Sequence, residues 1–227
     1  MTDTFTIGSA AKTILRIDAS ARARRSITRA LADTFVSAWH AERPDDVVLS
    51  RDVGLDPPPA VSEEWIAAAF AETRTPEQRA TLALSDRLID EVEAADLLVV
   101  ATPMYNYGMP ASLKAWFDQV IRVDRTFTFD LARGDHPLEP ILENKTLVVL
   151  SSVGEFGFGP GGPNEAHGHL LPHIRTASKY LGVGDRIHTV EVEYQEFGDG
   201  RHAASRRQAM ARVPELVREL AGGRVEC

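Results

Sequence analysis

The chain is poor in cysteine: Cys227, the last of its 227 residues, is the only one. A single cysteine forms neither an internal disulfide nor a CxxC metal site, which excludes disulfide scaffolds and cysteine-ligated zinc. A thiol at the chain terminus also lacks the positioned base that nucleophilic catalysis requires. We therefore predict a fold without disulfides and an activity that uses no thiol.

Positive charge and long apolar runs are also scarce. The sequence has 25 Lys and Arg against 33 Asp and Glu, for a formal net charge of −8 at pH 7. This balance argues against a non-specific nucleic-acid binder, although Arg22-Ala23-Arg24-Arg25 is a candidate for a local basic patch. No apolar run approaches the roughly 20 residues of a membrane-spanning helix, and no signal peptide is visible. We expect a cytoplasmic protein that binds neither nucleic acid nor membrane.

Short aliphatic segments alternate with helical patterns along the chain. We predict strands over 13–18, 47–50, 96–101, 146–150 and 186–192, and helices after Ser26 and over 63–72, 76–95, 110–123, 165–181 and 201–220. This alternation predicts an α/β fold, a doubly wound five-stranded parallel sheet with helices on both faces. We expect a single domain over 1–227, with its core at about 13–192 and a C-terminal helix at about 201–220. Residues 126–140 are predicted to form a short hairpin or flap.

Ligands of doubly wound sheets bind at the carboxyl ends of the strands, so the loops after Asp18, Ala101 and Leu150 are candidates. The first loop (residues 19–28) combines hydroxyl groups with the backbone N–H groups of a helix N-terminus, which together bind phosphate. Its candidate residues are Ser20, Ser26, Ile27 and Thr28. The alternative is that Ser26 only caps the helix.

The second loop (residues 102–110) carries two tyrosines, two methionines and one amide between two prolines. A flat heteroaromatic ligand needs this mixture of apolar surfaces and polar groups for its edge. The candidate residues are Met104, Tyr105, Asn106 and Tyr107. The alternative is a surface turn whose apolar residues cover the end of the sheet.

The third loop (residues 151–162) begins Ser151-Ser152-Val153-Gly154 and contains a literal G-x-G-x-x-G from Gly157 to Gly162. We do not interpret this match as a dinucleotide fingerprint, because six residues separate it from the predicted strand end at Leu150. A mobile or ligand-shaping loop is the preferred interpretation. His169 and His173 have the spacing of a metal pair, but no His-Glu-x-x-His occurs and Pro172 separates them, so we predict no metal site.

Together these loops resemble the FMN-dependent NADH:quinone oxidoreductase/azoreductase family, which has the flavodoxin-like fold. The similarity runs from about residue 13 to 192 and is most specific at Ala101-Thr-Pro-Met-Tyr-Asn-Tyr107. Arg51-Asp52-Val53 also resembles a family segment. The resemblance implies that Met104, Tyr105, Asn106 and Tyr107 line the FMN ring, and that Ser20 and Ser26-Ile27-Thr28 hold its phosphate.

In the third loop the sequence departs from the family pattern. Many members have Ser/Thr-Arg-Gly-Gly where this chain has Ser151-Ser152-Val153-Gly154. The resemblance places these four residues beside the flavin, whereas the missing arginine and the valine alter the local backbone and its hydrogen bonds.

The activity implied by the resemblance is a ping-pong, two-electron transfer from NADH or NADPH to quinones and/or azo compounds. The family is typically homodimeric, with Phe127 and Phe129 as candidates for the wall of the substrate pocket. No catalytic residue is identified. The alternatives are an FMN-binding, flavodoxin-like electron-transfer protein without small-molecule turnover, and a flavin-free binding module on the same fold.

Overall fold

Seven strands occur in the computed structural model, which describes residues 10–222 and therefore does not include Cys227. They are β1 Thr13–Asp18, β2 Val47–Asp52, β3 Leu97–Pro103, β4 Phe127–Phe129, β5 Leu138–Pro140, β6 Lys145–Ser152 and β7 Val183–Val192. Five of them form a sheet in the order β2-β1-β3-β6-β7, in which every neighbouring pair is parallel. This is the order of the flavodoxin-like class of doubly wound sheets, and it confirms the predicted fold class.

Helices cover both faces of the sheet. They are α1 Ile27–Glu42, α2 Glu63–Ala69, α3 Pro76–Ala94, α4 Ala111–Val120, α5 Leu170–Ser178 and α6 Gly200–Ala221. On one face, α1 and α6 bury aromatic and aliphatic side chains such as Phe35, Trp39 and Val213. On the other face, α3, α4 and α5 supply a second core that includes Leu88, Trp116 and Ile174. None of the helices described is long and apolar enough to cross a membrane.

The strand β3 shows why the aliphatic segments form this sheet. Its first six residues are all buried, so its side chains alternate between two apolar cores rather than between core and solvent. A continuous aliphatic run is what a parallel strand covered on both faces requires. The predicted hairpin at residues 126–140 is also confirmed, because β4 and β5 pair antiparallel.

The prediction of one helix over 165–181 is wrong. The segment consists of a 3₁₀ turn at Glu165–His167, helix α5, and a second 3₁₀ turn at Lys179–Leu181. The chain turns before α5 because the His169 N–H donates to the Tyr107 carbonyl, 3.0 Å away, instead of continuing a helical ladder. Gly168 also packs against the Phe158 carbonyl so closely that a Cβ would lie 2.8 Å from its oxygen.

The helix predicted over 63–72 is shorter than expected and ends at Ala69. The Arg74 guanidinium donates to the carbonyls of Ala68 and Ala69, at 2.8 and 3.0 Å. These two carbonyls lie in the last turn, where few backbone donors remain, so a side chain from beyond the helix adds hydrogen bonds to them; the Ala68 carbonyl also accepts from the Ala71 N–H at 3.4 Å.

The sheet brings the three candidate loops to one edge. Strand register pairs Asp18 with Ala101, and Pro103 with Ser152. The carboxyl ends of β1, β3 and β6 therefore lie side by side, with the reversal of strand order between β1 and β3. Ligands of this architecture bind at this position.

Candidate functional site

A cavity of about 410 Å³ opens where the three loops meet, a volume within the range of small-molecule sites. Nine of the twelve candidate cofactor residues line it: Ser20, Ser26, Ile27, Thr28, Met104, Tyr105, Asn106, Ser152 and Gly154. The lining also includes five residues that were not predicted: Arg22, Arg25, Pro103, Gln195 and Glu196. Tyr107, Ser151 and Val153 do not line the cavity.

The first loop ends in a helix N-terminus that offers unused donors. The Ser26 hydroxyl accepts from the Arg29 N–H at 3.4 Å and lies 3.3 Å from the Thr28 hydroxyl. Ser26 is therefore the cap that its sequence position predicted. The N–H groups of Ile27 and Thr28 donate to no group in the described chain, as expected in a first helical turn. Two N–H groups and two hydroxyls therefore lie together at the positive end of α1, and these are the donors that an anion site uses.

Arg29 fixes the first loop to the end of β2, a role that the sequence analysis missed. Its guanidinium binds both carboxylate oxygens of Asp52, at 2.6 and 2.8 Å. The same group donates to the carbonyls of Ser20 and Arg22, at 2.8 and 3.0 Å. The hydrogen bond to Asp52 raises the pKa of Arg29. Burial alone would raise the pKa of Asp52, but the bonds from Arg29 and from backbone N–H groups outweigh it, so that pKa is lowered.

A glycine beneath the first loop allows the backbones to approach closely. The Gly54 N–H donates to the Asp18 carbonyl at 3.0 Å. A Cβ at Gly54 would lie 2.6 Å from the carbonyl carbon of Ser20 and nearer still to its oxygen. Real Cβ atoms do not approach a backbone carbonyl this closely, so only glycine permits the observed position of Ser20.

The second loop forms a tight two-residue turn. The backbones of Tyr105 and Gly108 exchange two hydrogen bonds of 3.1 Å. Between them, Asn106 and Tyr107 have φ angles of 46° and 67°, as in a type I′ turn. The Met104 N–H donates to the Ser152 carbonyl at 2.9 Å, which joins the second loop to the third.

Tyr107 points away from the cavity and fastens the outside of the second loop. Its hydroxyl donates to the Glu155 carboxylate at 3.0 Å, and this hydrogen bond raises the pKa of Tyr107. Its ring contacts those of Phe158 and His167. These contacts hold a non-glycine residue in the left-handed conformation that the turn needs.

In the third loop, alternate residues point to opposite sides of an extended chain. Ser152 and Gly154 line the cavity, whereas Ser151 and Val153 are buried behind it. The Ser151 hydroxyl donates to the Glu191 carboxylate at 2.8 Å. Burial raises the pKa of Glu191, and this effect exceeds the opposing effect of the Ser151 hydroxyl.

The segment after β7 forms the wall that the sequence analysis missed. The N–H groups of residues 194–196 donate to the carbonyls of residues 153–155 at 2.8 to 3.2 Å. This pairing brings Gln195 and Glu196 to the cavity. A Cβ at Gly154 would lie 2.6 Å from the Glu196 carboxyl group, so the third loop and this wall are packed tightly.

The remaining candidates lie outside the cavity. Phe127 is half-buried against the Tyr180 ring, with a centroid distance of 5.5 Å, and Phe129 is exposed. The segment from Gly157 to Gly162 folds into a loop closed by a 3.0 Å bond from the Asn164 N–H to the Gly157 carbonyl. It does not open a helix, as a dinucleotide fingerprint would. Between residues 10 and 222 no group of three or more potential metal ligands of His, Cys, Asp and Glu occurs.

Comparison with known proteins places the chain among flavin-dependent relatives. It matches a family described by its flavodoxin-like fold over residues 12–217. It is 52% identical over 217 residues to the FMN-dependent NADH:quinone oxidoreductase 2 of Idiomarina loihiensis, covering 92% of this chain and 90% of that protein. It is 42% identical over 208 residues to the FMN-dependent NAD(P)H:quinone oxidoreductase 1 of Pseudomonas aeruginosa, covering 90% of this chain and 98% of that protein.

Among solved structures, an azoreductase from Bacillus anthracis shares the fold, with a TM-score of 0.80 and 18% identity. The alignment covers 92% of this chain and 99% of the azoreductase. The chain therefore belongs to the flavodoxin-like fold family that includes these FMN-dependent quinone oxidoreductases.

Proposed function

We propose that this chain is an FMN-dependent NAD(P)H oxidoreductase that reduces quinones and/or azo compounds by ping-pong, two-electron transfer. The observation that carries the proposal is a single cavity in which an anion site and a ring-binding loop meet. The names of relatives that match most of the chain supply FMN as the cofactor and quinone reduction as the reaction.

The residues present fit the phosphate of FMN. The unused N–H groups of Ile27 and Thr28 and the hydroxyls of Ser26 and Thr28 would hold it at the N-terminus of α1. Buried Ser20 lies in the same cavity, at a position set by Arg29 and Gly54. Helix N–H groups and hydroxyls stabilise a phosphate dianion locally, even in a chain of net charge −8.

The residues of the second and third loops fit a flat, apolar ring with polar edges. Met104 and Tyr105 offer apolar contact, and Asn106 offers an amide beside them. In the third loop, at the end of β6, Ser152 offers a hydroxyl group. Gly154 has no side chain, so a ring could lie close to its backbone. This combination of apolar surface and a few polar groups is what binds and orients a flavin ring.

Bound FMN supplies the redox chemistry, the transfer of two electrons from a nicotinamide donor to an acceptor. The chain binds and orients the reactants, and no side chain lining the cavity is assigned a proton-transfer role. Donor and acceptor would occupy the one cavity in turn, which is the order of binding that ping-pong kinetics require. Three candidate residues of the second and third loops do not line the cavity: Tyr107, Ser151 and Val153. They would hold in position the neighbouring residues that contact the flavin.

We further propose that the chain is one FMN-binding domain that acts as a cytoplasmic homodimer. Exposed apolar side chains on and beside the β4–β5 hairpin, including Phe129, Leu131 and Leu138, support association of two copies. In the dimer, Phe127 and Phe129 would wall the substrate pocket near the subunit interface. Sedimentation measurements on the FMN-loaded protein test this, and a monomer at micromolar concentration would contradict it.

The visible spectrum of the purified protein tests the cofactor assignment. We expect FMN to co-elute with the protein on gel filtration, with flavin absorbance and quenched flavin fluorescence. A protein that stays colourless after incubation with FMN would contradict the assignments of the phosphate and ring sites together. Retention of FMN without acceptor turnover would instead indicate an electron-transfer protein.

A further inference from the structure

Three arginines of the first loop form a cluster without an anionic partner. The side chains of Arg22, Arg24 and Arg25, here called the arginine cluster, are exposed and form no ion pair with any of residues 10–222. Their neighbour Arg29 is by contrast fully engaged with Asp52 and two carbonyls. All three side chains line one open depression, so an anion bound there could accept hydrogen bonds from all three guanidinium groups.

The arginine cluster lies beside the proposed cofactor cavity and extends outward from it. Arg22 and Arg25 line the cavity itself. Together with Arg24 they surround a second, open depression of about 560 Å³. Positive charge therefore runs from the cavity to the surface. The one carboxylate among the cavity-lining residues, Glu196, comes from the separate wall after β7.

The cofactor phosphate does not account for the arginine cluster, because α1 already provides two N–H groups and two hydroxyls for it. A ligand that enters after FMN can bring a second anion to this surface. The nicotinamide donor is such a ligand, because a donor whose ring reaches the second loop would leave its adenosine end nearer the rim. A chain of net charge −8 repels anions at long range, and a donor with a further phosphate group needs local positive charge to bind.

We propose that Arg22, Arg24 and Arg25 bind the 2′-phosphate of NADPH and make NADPH the preferred electron donor; this inference rests on the proposed function. A guanidinium group donates two parallel hydrogen bonds to phosphate oxygens, and its planar fork suits an exposed phosphate monoester. NADH lacks this group, so the arginine cluster distinguishes the two donors by a contact that only one of them makes.

The test compares both donors on FMN-loaded wild-type protein and on a triple variant, Arg22→Gln, Arg24→Gln and Arg25→Gln, with a benzoquinone as acceptor. We expect kcat/KM for NADPH to fall about tenfold or more, as for loss of a charge-assisted contact. The value for NADH should change by less than about twofold, because screened long-range charge effects are small. The double variant Arg206→Gln, Arg207→Gln is the matched control, since it removes exposed positive charge from α6, away from the cavity lining.

A salt titration gives a readout that a structural defect would not reproduce. In the wild type, rising ionic strength should lower kcat/KM for NADPH more than for NADH, because only NADPH pairs its extra phosphate with the arginine cluster. The triple variant should lose this difference. Equal salt dependence for both donors in the wild type would contradict the inference.

Other outcomes separate this inference from the proposed function. Equal losses for both donors in the triple variant would overturn it, because the contact would then involve a group common to both. A weaker FMN affinity with an unchanged donor ratio would also overturn it and assign the arginine cluster to the cofactor phosphate. If the FMN-loaded wild type oxidises neither donor, the proposed function fails and this inference with it. If it oxidises both at a ratio that the triple variant preserves, only this inference fails.

Discussion

Beneath the proposed phosphate site, the backbone of Gly54 lies directly against the Ser20 carbonyl. The substitution Gly54→Ala tests the importance of this contact. A Cβ at this position would lie 2.6 Å from the Ser20 carbonyl carbon. Because carbon atoms pack at about 3.5 Å, the Ser20 backbone would have to retreat by roughly 1 Å. This movement would lengthen the hydrogen bonds from Arg29 to Ser20 and from Gly54 to Asp18.

Two measurements follow from this displacement. Overpacking should cost about 1–3 kcal/mol of unfolding free energy, and Tm should fall by about 2–4 °C for each kcal/mol in a chain of this size. FMN affinity should fall about tenfold to a hundredfold, the effect of weakening one or two hydrogen bonds to a charged group. Quenching of flavin fluorescence measures the affinity, and thermal unfolding of the apoprotein measures the stability.

Gly184→Ala is the control, because a Cβ there meets nothing within 4 Å and its φ is not in the left-handed region. It should leave both quantities nearly unchanged. An unchanged Tm for Gly54→Ala would refute the close-approach argument. A lowered Tm with unchanged FMN affinity would keep the packing argument and refute the placement of the phosphate in the first loop.

Three further predictions concern single side chains. Ser26→Ala should weaken FMN binding by about 1 kcal/mol, whereas Ser62→Ala, which removes the cap of α2, should lower Tm without changing FMN affinity. Arg29→Lys keeps the charge but loses the planar guanidinium group that binds Asp52 and two carbonyls, so FMN should bind about tenfold more weakly in a fluorescence titration. Equal FMN affinity would show that the first loop does not need these hydrogen bonds to hold its position. Burial raises the folded-state pKa of Glu191 above 4.5, so ionisation costs stability as pH rises through that pKa. Glu191→Gln, which still accepts from Ser151, should flatten the fall of Tm with pH, and an identical pH profile would contradict this.

The alternation of strands and helices was predictable because it depends on local patterns. The segment 13–18 is a short aliphatic run and forms β1 with those bounds, and Ser26 caps α1 as its position indicated. The second loop could also be recognised, since its apolar and amide side chains are consecutive and follow a strand whose first six residues are all buried. Burial and capping act within a few residues, so the sequence carries their signal directly.

Contacts between distant segments were not predictable in this way. Arg29 meets Asp52 across 23 positions, and Gly54 meets Ser20 across two elements of the fold. The pairing of residues 194–196 with residues 153–155 likewise depends on the completed sheet. The sequence held one signal for the Arg29–Asp52 ion pair. The Arg51-Asp52-Val53 segment resembles a family motif, which marked the end of β2 as important.

The break in the helix predicted over 165–181 has the same origin. The local pattern favours a helix, but the His169 N–H bonds to the second loop and Gly168 packs under the third. Tertiary hydrogen bonds therefore outweigh local propensity where the chain passes the site.

The most direct test of the central claim is steady-state oxidation of NADH and NADPH by the FMN-loaded protein in the presence of a quinone. We predict quinone-dependent turnover well above that of free FMN at the same concentration, with parallel double-reciprocal plots as the ping-pong scheme requires. Turnover no faster than that of free FMN, from protein shown to retain its flavin, would contradict the claim that this cavity is the active site of an oxidoreductase.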